Sequence, residues 1–132
     1  MNEEVYRLLE QAAREDGRYP AQAYVFLLHG LDLAMRRRHG ECPGGEVRHV
    51  SGRELCEALR ELALHRWGRL AGLVLSRWGV RRTRDFGEMV FVLVQRGLLR
   101  KQETDRIEDF DDVYDFDEVF ESYEIPLTPA EP

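Results

Sequence analysis

A chain of 132 residues, 43% hydrophobic and 33% charged, is long enough to bury one core and too short for two. No apolar run approaches the roughly 20 residues that span a bilayer, and two cysteines are too few for a secreted disulfide framework. The formal net charge of −6 conceals a division: Met1 to Lys101 carries 18 basic and 13 acidic residues, net +5, and Gln102 to Pro132 carries 1 and 12, net −11.

Val5, Leu8, Leu9 and Ala12 recur at i, i+3, i+4 and i+7 and predict an amphipathic first helix that ends before Gly17. Pro20 suits the start of a second helix, because its missing N–H needs no partner there. Ala23 to Met35 is apolar on several sides, which marks this helix as central; it runs into Arg36-Arg37-Arg38 and stops at Gly40. Gly40 to Arg48, with Cys42-Pro43-Gly44-Gly45, reads as a loop. Ser51-Gly52-Arg53-Glu54 is a capping box that opens a third helix, with Leu55, Leu59, Leu62 and Ala63 as its buried stripe. A fourth helix covers about Leu70 to Trp78 and is stopped by Gly79. Thr83-Arg84-Asp85 supplies cap candidates for a fifth, about Asp85 to Arg96, which Gly97 ends. Leu98-Leu99-Arg100 reads as a short strand.

The acidic tail from Asp109 interleaves Phe110, Tyr114, Phe116, Phe120 and Tyr123 with carboxylates, unlike simple acidic disorder, and so has something to bury. Asp115 and Glu118 can cap a short helix that places Phe116, Val119, Phe120 and Tyr123 on one face. The expected architecture is mainly α: one domain of about five helices with a small β element, a winged-helix-like half at 51–108 within a body of 1–108, and a tail, 109–132, that docks on the body or on a partner.

The helices on either side of Gly79-Val80-Arg81-Arg82-Thr83, followed by a strand and a polar turn, match the outline of a winged helix-turn-helix, with Arg81, Arg82 and Arg84 at the start of its recognition helix. Two features oppose DNA binding. Met89 to Val94 offers almost nothing polar to a base edge, and an acidic wing (Glu103, Asp105, Glu108, Asp109) repels a polyanion.

Sites of chemistry are equally sparse. His39, Cys42 and His49 carry zinc-type ligands but no CxxC pair, and a fourth ligand would have to be Cys56 or His65. Glu61 and His65 share a helix face without a second carboxylate–histidine set. His29 lies in an apolar helix, where a hydrogen-bonded core histidine is the plainer reading than a proton-transfer group. Counted from Asp109, an EF-hand would need Gly and Glu where Tyr114 and Phe120 stand. No phosphate loop, nucleophile elbow, HExxH or dinucleotide fingerprint occurs, so no enzyme, cofactor or metal is expected.

Four sets of residues, taken together, carry a resemblance: Arg18-Tyr19 with Ala23-Tyr24-Val25-Phe26; His49-Val50-Ser51-Gly52 with Glu54-Leu55; Trp78-Gly79-Val80 with Thr83 and Asp85-Phe86-Gly87-Glu88; and Asp109-Phe110 with Tyr114-Asp115-Phe116. Across about Val5 to Glu124 the chain resembles a family of small uncharacterised proteins found mainly in planctomycetes and verrucomicrobia, and departs from it in the Arg36 to Arg48 loop. The resemblance implies a bacterial cytosolic protein and carries over no activity, cofactor or site residue.

These readings lead to an expected cytoplasmic, non-enzymatic interaction or regulatory module that binds protein. In it Phe116, Phe120 and Tyr123 anchor the tail, and Asp111, Asp112, Asp115 and Asp117 align with Arg81, Arg82 and Arg84 or with a basic partner. The alternative is a nucleic-acid binder whose basic face the tail masks. Membrane association is not expected.

Overall fold

The computed structural model describes residues 2–39, 50–100 and 106–121. Helix α1 (Glu3–Asp16) starts where the Asn2 side chain accepts from the Val5 N–H at 2.8 Å, with Glu3 and Glu4 at the positive end of the helix dipole. It ends at Gly17, whose φ of 82° is open to a residue without Cβ and turns its N–H onto the Ala13 carbonyl. Its buried side is Leu9, Ala12 and Ala13 with Val5 partly covered; Leu8, expected inward, lies beside that stripe and is 41% exposed.

Helix α2 (Ala21–His39) is the central element, packed against α1, α3 (Gly52–Trp67) and α5 (Thr83–Gln95). Ala23, Tyr24, Phe26, Leu27, Gly30 and Ala34 are buried along it. A Cβ at Gly30 would overlap the Leu59 side chain, so this glycine permits the close approach of α2 and α3. The expected capping box opens α3: Glu54 N–H donates to Ser51 Oγ at 3.1 Å, and Ser51 N–H donates to Glu54 Oε1 at 2.8 Å. A 3₁₀ turn (Gly68–Leu70) bends the chain into the short α4 (Ala71–Arg77), which lays Ala71 and Leu75 on the core.

The α4–α5 corner is fastened by Asp85, whose carboxylate accepts from the backbone N–H groups of Arg81 and Arg82 and from the Tyr19 hydroxyl at 2.7 Å. Phe86, Met89, Val92 and Leu93 of α5 are buried.

Among the described residues there is no strand, and the expected β element and winged-helix-like half are not supported. Leu98 and Leu99 both turn their N–H groups back onto the Leu93 carbonyl, at 2.8 and 3.3 Å, so Leu98-Leu99-Arg100 finishes α5 instead of leaving as a strand. Gly97 has the φ of 74° that this turn needs. The helix assigned to recognition is a core helix, and its β-branched residues serve packing. No helix among the described residues is long and apolar enough to cross a membrane.

The candidate interaction face

The acidic tail re-enters the core through one side chain. Phe110 is buried between the first turn of α3 and the middle of α5, where Gly52 and Gly87 together leave a notch. A Cβ on Gly52 would stand 3.1 Å from the Phe110 ring, and one on Gly87 2.7 Å from it. Thr83, which the sequence suggests as a cap, instead lies just inside α5 and is 1% exposed. Its hydroxyl donates to the Phe110 carbonyl at 2.5 Å and accepts from the Val113 N–H at 3.2 Å, so it holds the tail on both sides of its turn.

Thr83→Val keeps the shape but strands both backbone groups. It is expected to cost about 2–3 kcal/mol in urea denaturation; a loss below about 0.5 kcal/mol would mean that the hydroxyl does not hold the tail.

Asp112, at φ 48°, reverses the chain. Tyr114 then donates its hydroxyl to the Cys56 carbonyl of α3 at 2.9 Å, and burial raises its pKa far above that of a free phenol. Phe116 packs on Phe86 at 5.9 Å and edge-on against Phe120 at 4.9 Å; Tyr114 completes the group. From Phe86 the rings continue through Phe26 to Trp67 and Trp78. Phe120, 1% exposed, belongs to the same core, and its wide turn (Asp117–Glu121) packs against the 3₁₀ turn and α4.

The candidate site residues therefore divide. Arg84 alone of the three arginines meets the tail, with Nη1 3.0 Å from both oxygens of Asp111; those bonds raise the Arg84 pKa, while water screens the pair. Arg81 and Arg82 form no ion pair with the described part of the tail, 109–121: their backbones are engaged by Asp85 and their side chains are exposed. Asp115 caps the last turn by accepting from the N–H groups of Asp117 and Glu118 at 2.8 and 3.3 Å. Asp112 and Asp117 are exposed. Phe116 and Phe120 are spent on this chain's own core, so Phe120 is no anchor for a partner. Tyr123 lies outside the described residues.

The other sequence candidates separate in space. Glu61 pairs with Arg37 of α2 and not with His65. His29 is a surface residue, not a core one, with Nδ1 2.8 Å from Arg66 Nη2; partial burial and then the guanidinium keep its pKa below the usual histidine value. Burial pushes the Cys56 thiol up to about 12, which leaves it protonated and inert. Cys42 and His49 lie outside the described residues, as does the His39 side chain, and no cluster of metal-ligating side chains occurs among those described.

A further stretch is one that periodicity and motif spacing pass over. From Leu62 to Arg84 the chain contains six arginines and no carboxylate, a run plain in the sequence once acidic residues alone are marked. In its middle, Leu70 is 58% and Leu73 53% exposed on the side of α4 opposite Ala71 and Leu75. Leu70, Leu73 and Arg77 follow at i, i+3 and i+7, with the exposed Arg69 four residues before Leu73, so the leucines are bracketed by two guanidiniums.

No family model matches the chain, and no curated protein or solved structure matches it either. Gly52, Thr83, Gly87, Phe110, Tyr114 and Phe116 form the seam between tail and body, and Tyr19 bonds to Asp85 beside it.

Proposed function

We propose that this protein is a non-enzymatic protein-interaction module that presents the outer face of the 3₁₀ turn and α4, with Arg69, Leu70, Leu73 and Arg77, to a protein partner. The observation that carries this reading is the pair of neighbouring exposed leucines inside an arginine-rich, carboxylate-free stretch. Protein interfaces have an apolar centre, are enriched in arginine and are depleted of Asp and Glu, which is the composition found here. The tail has a supporting role: by completing the core next to α4 it braces the element that carries the face. Among the described residues its acidic groups pair with Arg84, and no ion pair forms at Arg69, Arg77, Arg81 or Arg82.

The six arginines also favour a second reading, a nucleic-acid binder, although exposed leucines add nothing to phosphate recognition. The bacterial, cytosolic setting implied by the resemblance is part of the same proposal.

The test is a capture experiment with the tagged full-length protein and with Leu70→Ser/Leu73→Ser, each with and without nuclease. A protein retained by the parent chain through nuclease treatment, and lost by the variant at unchanged melting temperature, is the expected result. Retention by both proteins removes α4 from the interface, and material that disappears with nuclease replaces this reading with the second.

A further inference from the structure

Resting on the reading of α4 as an interaction face, we infer that the occupant is a short acidic segment of another protein, in which carboxylates flank two or three apolar side chains. The spacing sets its size. Leu70 closes the 3₁₀ turn and Leu73 and Arg77 lie in α4, so at about 1.5–2 Å per residue the face is roughly two turns long, with a cation at each end and an apolar pair between. A partner that fills it brings apolar groups to Leu70 and Leu73 and carboxylates to Arg69 and Arg77.

Complementarity narrows the alternatives. The stretch Leu62 to Arg84 itself holds no carboxylate, although the acidic turn Asp117–Glu121 packs beside α4, and the like charges of a basic segment brought face to face with its arginines oppose docking. A second copy of this chain is disfavoured as far as residues 109–121 go, because Phe110, Tyr114, Phe116 and Phe120, the aromatic residues of that described part of its acidic segment, are already engaged within the core or packed against it. A nucleic acid matches the guanidiniums and leaves the leucines idle. An anionic bilayer gains little from two leucines, since surface-binding helices bury a whole apolar face.

The deciding experiment pans a display library of random peptides of about 15 residues, a length at which a helix can begin to form, on the full-length protein, with counter-selection on Leu70→Ser/Leu73→Ser. Enriched peptides are expected to be net acidic with interspersed Leu, Ile, Phe or Trp. The consensus peptide should bind the leucine variant at least about tenfold more weakly, lose affinity several-fold with Arg69→Gln/Arg77→Gln, and weaken as salt rises past the range at which exposed charges are screened. Four exposed positions are altered across the two variants, so both should retain the parent melting temperature. If one fails to fold, the other still reads its half of the proposal.

Variant-sensitive peptides without acidic bias would overturn this inference and leave α4 as an interaction face. Recovery of no variant-sensitive peptide would overturn both. Duplex DNA or phosphatidylserine vesicles, run in parallel, would displace the inference if either bound tightly and insensitively to the leucine substitutions.

Discussion

A chain ending before Asp109 is expected to lose cooperative thermal unfolding altogether. The segment 109–121 supplies Phe110 and Phe120 to the core and packs Val113, Tyr114, Phe116 and Val119 against it. At about 1.5–3 kcal/mol for each large apolar side chain fully buried, and with partial credit for the half-covered ones, its removal costs on the order of the whole 5–15 kcal/mol that keeps a domain of this kind folded. The deletion also opens the notch at Gly52 and Gly87, uncovers the Phe86 ring, and deprives Thr83 Oγ and the Cys56 carbonyl of their partners. Calorimetry or circular dichroism on the truncated chain reads the outcome. A sharp transition within a few degrees of the parent would show that the tail is an accessory. The same expectation disqualifies a tail-less fragment as a probe of the basic face, because an unfolded chain rich in arginine binds polyanions without specificity.

Gly87→Ala should destabilise the protein although alanine is the better helix former. In an exposed helix the change gains up to about 1 kcal/mol. Here the new methyl would lie 2.7 and 2.8 Å from Phe110 Cδ2 and Cγ and 3.0 Å from its Cβ, so it meets the root of the side chain, which cannot swing aside as a tip can. Overpacking of this kind costs about 1–3 kcal/mol, and the net sign is a loss. Phe110→Ala alone should cost about 3–5 kcal/mol, the range for a phenylalanine removed from a core. With Phe110 gone the notch is empty, and Gly87→Ala should then be neutral or favourable. The reversal of sign between the two backgrounds is the diagnostic, read by denaturant unfolding of the four proteins. Simple additivity would mean that the two residues do not meet.

Much of this architecture is legible in the residues. The Ser51–Glu54 box, the turn glycines Gly17, Gly79 and Gly97, and the apolar spacing of each segment locate all five helices. The errors have physical causes. Leu8 satisfies the helical period as well as Leu9 does, yet the buried stripe of α1 runs along Leu9, Ala12 and Ala13 and leaves it outside. Thr83 has the chemistry of a cap, yet Asp85, two residues on, takes the N–H groups of Arg81 and Arg82 and frees the threonine to turn inward. Leu98-Leu99-Arg100 has strand-like composition, but the Leu93 carbonyl claims the amides of both leucines.

In the tail, the one-face spacing of Phe116 and Phe120 foretells their burial together, while the anchor, Phe110, gives no periodic signal. Its signal lies elsewhere, in a glycine placed in the interior of α5 where nothing local requires one. Of the charged candidates, the Arg84–Asp111 pair forms. Arg81 and Arg82 have the right charge but stand before the helix, where Asp85 takes their backbone N–H groups; Arg82 lines a surface pocket with Asp111 and Asp112 without an ion pair to either among the described residues.

The bonds that close this core join residues far apart along the chain: Tyr114 to Cys56 across 58 positions, Tyr19 to Asp85 across 66, and Arg18 to Glu88 across 70. Helical proteins usually fold fast because most of their contacts are local and little loop entropy is lost before the first reward arrives. In this one five helices form locally, while the notch for Phe110 joins Gly52 of α3 to Gly87 of α5, so docking of Phe110 is expected to follow the pairing of those two helices.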